Sequence, residues 1–250
     1  MAHVLIVLTS QGLIPATRQQ TGWQLKQWET TQSELAYPYS ILEPRVNITI
    51  ASPQGGEAPL DPASASTKPE TASDEADSTD ISSIAHHWEA WTHTYRIREV
   101  VGRAGAGEFD AVFYVGGRGA MFDLVTDAAS LALIQNIAAV GKPIAAVSHG
   151  PAALLNATAP SGVPLLSGAR LTGFSREEED EAGMAAVMPF QLETELERVS
   201  GGGYVKADRP GMEKVVVSRT AGLHSPLITG QNPASAVGVA REILRVLGCD

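Results

Sequence analysis

Cysteine is nearly missing from this chain of 250 residues: Cys249, beside the C-terminus, is the only one. An intrachain disulfide and a thiolate cage for a metal are thereby excluded, and the thiol reads as an exposed bystander. Basic residues are also scarce, 18 Lys and Arg against 28 Asp and Glu, for a formal net charge of -10. A surface of that sign repels nucleic-acid backbones and anionic membranes, which leaves small molecules and other proteins as partners. No apolar run approaches the roughly 20 residues that a bilayer span needs. The opening segment Met1–Ser10 reads as an apolar strand, without the basic region and cleavage site of a secretory leader. The expectation is a cytoplasmic protein, on which the Asn47 and Asn156 sequons carry no glycan.

What is present is an alternation of short β-branched runs with longer helical periods, the pattern of a parallel sheet covered by helices on both faces. Strands are expected over 3–8, 46–51, 110–115, 143–147 and 215–219. Helices are expected at 33–42, with Pro38 interrupting, in a segment capped by Asp127 and closed by Gly141, and near 190–198. A last helix is capped by Asn232 with Pro233 in its first turn. A strand pair is expected near 170–174, followed by an acidic turn. Residues 52–83 are rich in Pro, Ser, Ala and acids, with seven acidic residues against Lys68 alone, and read as a surface insertion within one domain spanning 1–250. In 86–98, His86, His87, Trp88, Trp91, His93 and Tyr95 crowd together. Either these histidines share a metal ion, or a helix packs its tryptophans on the domain edge, and the second reading is favoured.

The segment that carries chemistry is Ala145-Ala146-Val147-Ser148-His149-Gly150-Pro151, a buried strand running into a reactive-type side chain and a turn of small residues. This is the pattern of a nucleophile elbow, in which a sharp turn lifts the side chain above the strand end while free backbone N–H groups favour negative charge there. A Ser-His pair alone is weak evidence. A second strand end, Gly116-Gly117-Arg118-Gly119, supplies further backbone donors, so Gly116, Gly117 and Gly150 read as oxyanion or substrate-binding positions. The spacing fits neither a Walker A loop nor a dinucleotide fingerprint, and no metal or organic cofactor is expected.

In these motifs, and in Thr21-Gly22-Trp23, Ser33 to Tyr39, Ala51 to Gly56, Leu171 to Ser175 and Leu227 to Ser235, the chain resembles the ThiJ/PfpI superfamily. Within it, the resemblance is to the branch of heat-shock chaperone thirty-one and glutathione-independent glyoxalase III. It implies the class I glutamine amidotransferase-like fold, an α/β parallel-sheet sandwich of flavodoxin-like type. It places the nucleophile on Ser148, the adjacent histidine on His149, a buried acid on Glu34 and a triad carboxylate on Glu179, with Glu177, Glu178 and Asp180 crowding the same turn. Without the resemblance, the favoured reading of Glu34 is a solvent-facing helix residue. Members of the family are often dimers, so a homodimer is implied as well.

Two departures stand out. Arg118 occupies a place where the family usually has histidine, and Ser148 replaces cysteine. A thiol, with an ordinary pKa of about 8.5, can be drawn down to thiolate at such an elbow, whereas a serine hydroxyl needs an adjacent base. Ser148 is therefore a change that silences the enzyme, the nucleophile of a serine enzyme using His149 and Glu179, or a natural loss of nucleophilic catalysis. The leading expectation is a glyoxalase III-like lyase acting on a small aldehyde or ketoaldehyde, with stress-linked roles implied by the branch. A serine hydrolase or specialised lyase using Glu34 and His149 is the alternative within catalysis. A holdase chaperone, binding clients through surfaces such as Trp88 and Trp91, is the alternative outside it.

Overall fold

The computed structural model describes residues 1–22, 34–61 and 89–249, with the backbone alone at 89 and 90. Most of the expected insertion, and Trp23, Ser33, His86, His87 and Trp88, lie outside the described residues. Seven strands form one sheet in the order β3-β2-β1-β4-β5-β7-β6. They are β1 His3–Val7, β2 Asn47–Ser52, β3 Tyr95–Arg96, β4 Ala111–Tyr114, β5 Ile144–Val147, β6 Val215–Ser218 and β7 Leu227–Gly230. All neighbours run parallel except β6, which pairs antiparallel with β7.

Successive side chains of a strand point to opposite faces, and the central strands are apolar at every position because both faces are covered. Leu5, Val7, Val112, Tyr114, Ile144 and Ala146 face helices Ile97–Gly105 and Ala128–Ala139. Val4, Ile6, Ala111, Phe113, Ala145 and Val147 face the C-terminal helix Ala236–Leu247 and helix Ala36–Leu42. The strand order reverses between β1 and β4, so the carboxyl ends of β1, β4 and β5 open on the crevice where such sheets bind ligands. Asp123 fixes this edge by accepting from the Thr9 hydroxyl and the Ser10 N–H at the end of β1.

Local signals set the helix ends. Asp127 caps Ala128–Ala139 by accepting from Ser130 N at 2.7 Å. Asn232 accepts from Ser235 N, and the 3₁₀ turn Pro233–Ser235 runs on into Ala236–Leu247. Pro38 does not interrupt its helix, because it falls in the first turn, where no intrahelical partner is needed for its missing N–H.

Four expectations are corrected. Residues 170–174 form no strand pair: Leu171 makes an isolated bridge to Tyr204, and Phe174 N is spent on Ser148 O at 2.9 Å. The acidic turn is a helix, Arg176–Glu181, because Ser175 and Glu178 close a capping box at its start. The stretch expected as one helix over 86–98 is, in its described part, broken by β3, where Tyr95 and Arg96 pair with Ala51 and Ser52. Trp91 packs half-buried against the second core. Cys249 also packs half-buried against that core and is not an open thiol. Among the described residues no helix is long and apolar enough to cross a membrane.

Candidate active site

β5 ends at Val147, and the chain turns at once. Ser148 N donates to Gly230 O of β7 at 2.9 Å, and Ser148 takes a φ of 57°, a left-handed conformation that costs a non-glycine residue about 1–2 kcal/mol. The sharp turn expected of an elbow is thus present at Ser148, and it is a strained one. Gly150 follows because a Cβ there would lie 2.4 Å from Tyr114 O. At the end of β4, a Cβ on Gly116 would lie 2.5 Å from Glu34 Oε2 and 2.7 Å from Ser148 Cβ. Only a bare backbone lets the three residues meet. Among the described residues the backbone N–H groups of Gly116, Gly117, His149 and Gly150 find no acceptor, so donors from both turns remain free at the crevice.

The Ser148 side chain has two ionisable neighbours. On one side, His149 Nδ1 stands 3.3 Å from Ser148 Oγ while His149 Nε2 stands 2.7 Å from Glu179 Oε2. The Phe174 ring lies against the imidazole, with centroids 4.4 Å apart. The second oxygen of Glu179 accepts from Arg118 Nε at 2.7 Å. Burial pushes the Glu179 carboxyl up, but the charges and hydrogen bonds of His149 and Arg118 outweigh it and hold the pKa down at about 2. On the other side, Glu34 is 1% exposed, and burial raises its carboxyl to about 8 against the opposing pull of the Ser148 hydroxyl and the Arg118 charge. Neither Glu34 oxygen has a partner in good hydrogen-bonding geometry. At neutral pH this is a protonated acid held against the Ser148 side chain.

Glu179 is held in place by its neighbour. Glu178 Oε2 accepts from Ser175 N, Ser175 Oγ and Gln231 Nε2, and Glu178 Oε1 accepts from Gly211 N and Asn232 Nδ2. Of these five donors, Gln231 and Asn232 tie the short acidic helix to the segment after β7, Gly211 ties it to the loop before β6, and the two of Ser175 close the helix's own capping box. Beside Glu179 a cleft opens whose walls are largely apolar, with Phe174, Met188, Phe190 and Leu192.

The structure therefore brings Ser148, His149, Glu34, Glu179, Gly116, Gly117 and Gly150 together. Sequence reasoning missed two residues: Arg118, taken only as a departure, grips the triad carboxylate, and Glu178 anchors its helix. The second was detectable, since Ser175-x-x-Glu178 is a capping-box spacing. Among the described residues no group of three or more His, Cys, Asp or Glu is arranged to hold a metal, and His86 and His87 lie outside them.

The chain is similar over 146 residues, at 31% identity, to a probable glutathione-independent glyoxalase, hsp3103, of Schizosaccharomyces pombe, a match covering 56% of this chain and 54% of that protein. It is 27% identical over 147 residues to glyoxalase 3 of Candida albicans, covering 57% and 60%. The match thus spans between half and two thirds of these curated relatives. The X-ray structure of the Rapid Encystment Protein 24 KDa of Francisella tularensis superposes with a TM-score of 0.80 at 30% identity, covering 99% of each chain. The DJ-1/PfpI family model matches residues 25–245, a span that takes in Glu34, both glycine turns, the elbow and the acidic helix, and the chain belongs to that family.

Proposed function

We propose that this protein is a glutathione-independent glyoxalase that converts a small 2-oxoaldehyde and water into a 2-hydroxy acid. The observation that carries the reading is Glu34: a neutral, buried carboxyl packed with Gly116 against the elbow residue. Relatives named as glyoxalases support it.

The chemistry needs no external oxidant. Ser148 Oγ adds to the aldehyde carbon as its proton passes to His149 Nδ1, whose far side Glu179 holds. Protonated Glu34 gives its proton to the aldehyde oxygen, completing a hemiacetal, and free N–H groups of the two turns steady the negative charge that develops there. The Glu34 carboxylate then takes the hydrogen of the former aldehyde carbon and delivers it to the neighbouring carbon. The hemiacetal hydroxyl proton ends on the neighbouring oxygen. The result is a Ser148 ester of the 2-hydroxy acid; the Glu34 carboxylate takes a proton from the water that hydrolyses it, and His149 returns its proton to Ser148 Oγ as the acid leaves, so that both groups regain their starting states.

The test is conversion of methylglyoxal to lactate, followed by proton NMR without glutathione, in the wild type and in Glu34→Gln. The reading requires turnover in the first and its loss in the second. A second reading, a serine hydrolase, is favoured by the Ser148–His149–Glu179 distances alone. It predicts hydrolysis of an activated ester such as p-nitrophenyl acetate that survives Glu34→Gln. The chaperone reading draws less support, because Trp91, one of its two supporting tryptophans, packs against the core.

A further inference from the structure

Arg118 follows directly on the Gly116-Gly117 turn of the same site and has most of its hydrogen-bonding capacity unused. Its side chain is 13% exposed, its Nε is bound to Glu179 Oε1 at 2.7 Å, and among the described residues neither Nη group meets an acceptor. Its charge acts on Glu34 as well as on Glu179, which places the guanidinium within electrostatic range of both acids that serve Ser148. A guanidinium taken largely out of water loses solvation that unpaired N–H groups do not recover, so a partner for its outer edge is worth more here than on an open surface. With the Nε edge occupied, the Nη1–Nη2 edge is left, and two parallel N–H groups match the two oxygens of a carboxylate. Below about pH 8 Glu34 is neutral and Arg118 offsets the negative charge of Glu179, so neither acid bars such a guest.

We propose that Arg118 forms a carboxylate subsite beside Ser148, and that its ligand is the 2-hydroxy acid made at the site. The identity of that ligand rests on the glyoxalase reading; the carboxylate chemistry rests on Arg118 itself. The consequence is product inhibition set by one side chain, together with a preference for carbonyl compounds that carry a carboxylate over neutral ones of equal size.

The experiment is a calorimetric titration of the full chain with lactate and with neutral 1,2-propanediol. Wild-type protein binds lactate more tightly than the diol. Arg118→Gln weakens lactate by about tenfold or more, as expected for loss of a charged hydrogen-bond pair, and leaves the diol unchanged. Arg118→Lys keeps the charge without the fork and gives an intermediate loss, so it carries the test if the glutamine variant fails to fold. Ser148→Ala retains lactate binding. Lactate affinity equal in Arg118→Gln and wild type, or no better than that of the diol, overturns the subsite even if methylglyoxal is turned over. Arg118-dependent lactate binding without turnover of methylglyoxal keeps the subsite and removes the glyoxalase. 4,5-Dioxopentanoate against neutral 2-oxopentanal as substrates separates the two sources of a carboxylate: a kcat/KM advantage for the dioxopentanoate that Arg118→Gln removes means that the subsite also reads substrates.

Discussion

Ser148 Oγ and His149 Nδ1 face each other at 3.3 Å although the two residues are consecutive in the chain. The left-handed turn at Ser148 makes this possible, and it dictates which nitrogen faces the hydroxyl: Nδ1, the one nearer the backbone, meets it, while Nε2 is left for Glu179. The contact is slightly longer than an ideal proton-transfer distance of about 2.6–3.2 Å.

Replacing Ser148 by cysteine tests whether this elbow suits oxygen or sulfur. Free backbone N–H groups and the nearby His149 favour a thiolate, and a thiolate is the stronger nucleophile. Ser148→Cys is expected to raise turnover of methylglyoxal by at least about tenfold, whereas Ser148→Ala abolishes it. Equal or lower activity in the cysteine variant would show a site adapted to serine and shift the weight to the hydrolase reading.

Glu34 ties activity to pH. Its carboxyl must be protonated to donate to the aldehyde oxygen, and its pKa is about 8, so kcat/KM should fall as pH rises through 8. Stability moves the same way. An unfolded chain ionises this residue near 4.5 while the folded chain keeps it neutral to about 8, so its burial destabilises the fold increasingly between those values. Glu34→Gln should therefore gain melting temperature relative to wild type as pH is raised from 4.5 to 8, while losing activity. A constant difference across that range would mean that Glu34 is ionised in the fold.

Glu179 gives the opposite slope. With its pKa lowered to about 2 from 4.5, it contributes stability that is fully present above pH 4.5 and is lost as pH falls toward 2. Glu179→Gln removes that contribution, so its melting temperature should approach that of the wild type as the solution is acidified. Its kcat should drop by about two to four orders of magnitude, because the imidazole loses its orienting partner. Retention of most activity would show that Glu179 does not orient His149.

Gly116→Ala probes the packing without touching a charged group. The added methyl meets Glu34 and Ser148 at distances that real Cβ atoms do not adopt, and overpacking of this kind costs about 1–3 kcal/mol. The expected outcome is a folded but less stable protein that has lost most of its activity, read by thermal melting and by the methylglyoxal assay. Wild-type rates in this variant would place Glu34 farther from Ser148 than the contact indicates.

Much of the sheet was legible because buried parallel strands are short apolar runs with glycine or a reactive residue just beyond them, as at β4 and β5. The elbow at Ser148 was legible for the same reason. β7 reads as a motif and not as a strand, since only Leu227 and Ile228 of Leu227–Gly230 are apolar before Thr229 and Gly230 break the run. Residues 170–174 misled because apolar residues there spend their backbone groups on the elbow and not on a strand partner. The grip of Arg118 on Glu179 joins residues 61 apart in the chain, and only the folded sheet brings them together.

Asn232 belongs to two structures at once. Its Oδ1 starts the C-terminal helix by accepting from Ser235, and its Nδ2 reaches Glu178, next in the chain to the acid that holds His149. The final helix therefore closes the tertiary structure and also acts as a latch on the reactive end of the sheet. A disturbance far from Ser148 that frays the first turn after Asn232 would loosen the Glu178 clamp and let Glu179 drift from the imidazole. Hydrogen exchange at Ser235 and at Glu179, whose amides are bonded to Asn232 and Ser175, should then rise together, so that local melting at the chain's end is felt as a loss of alignment at the nucleophile.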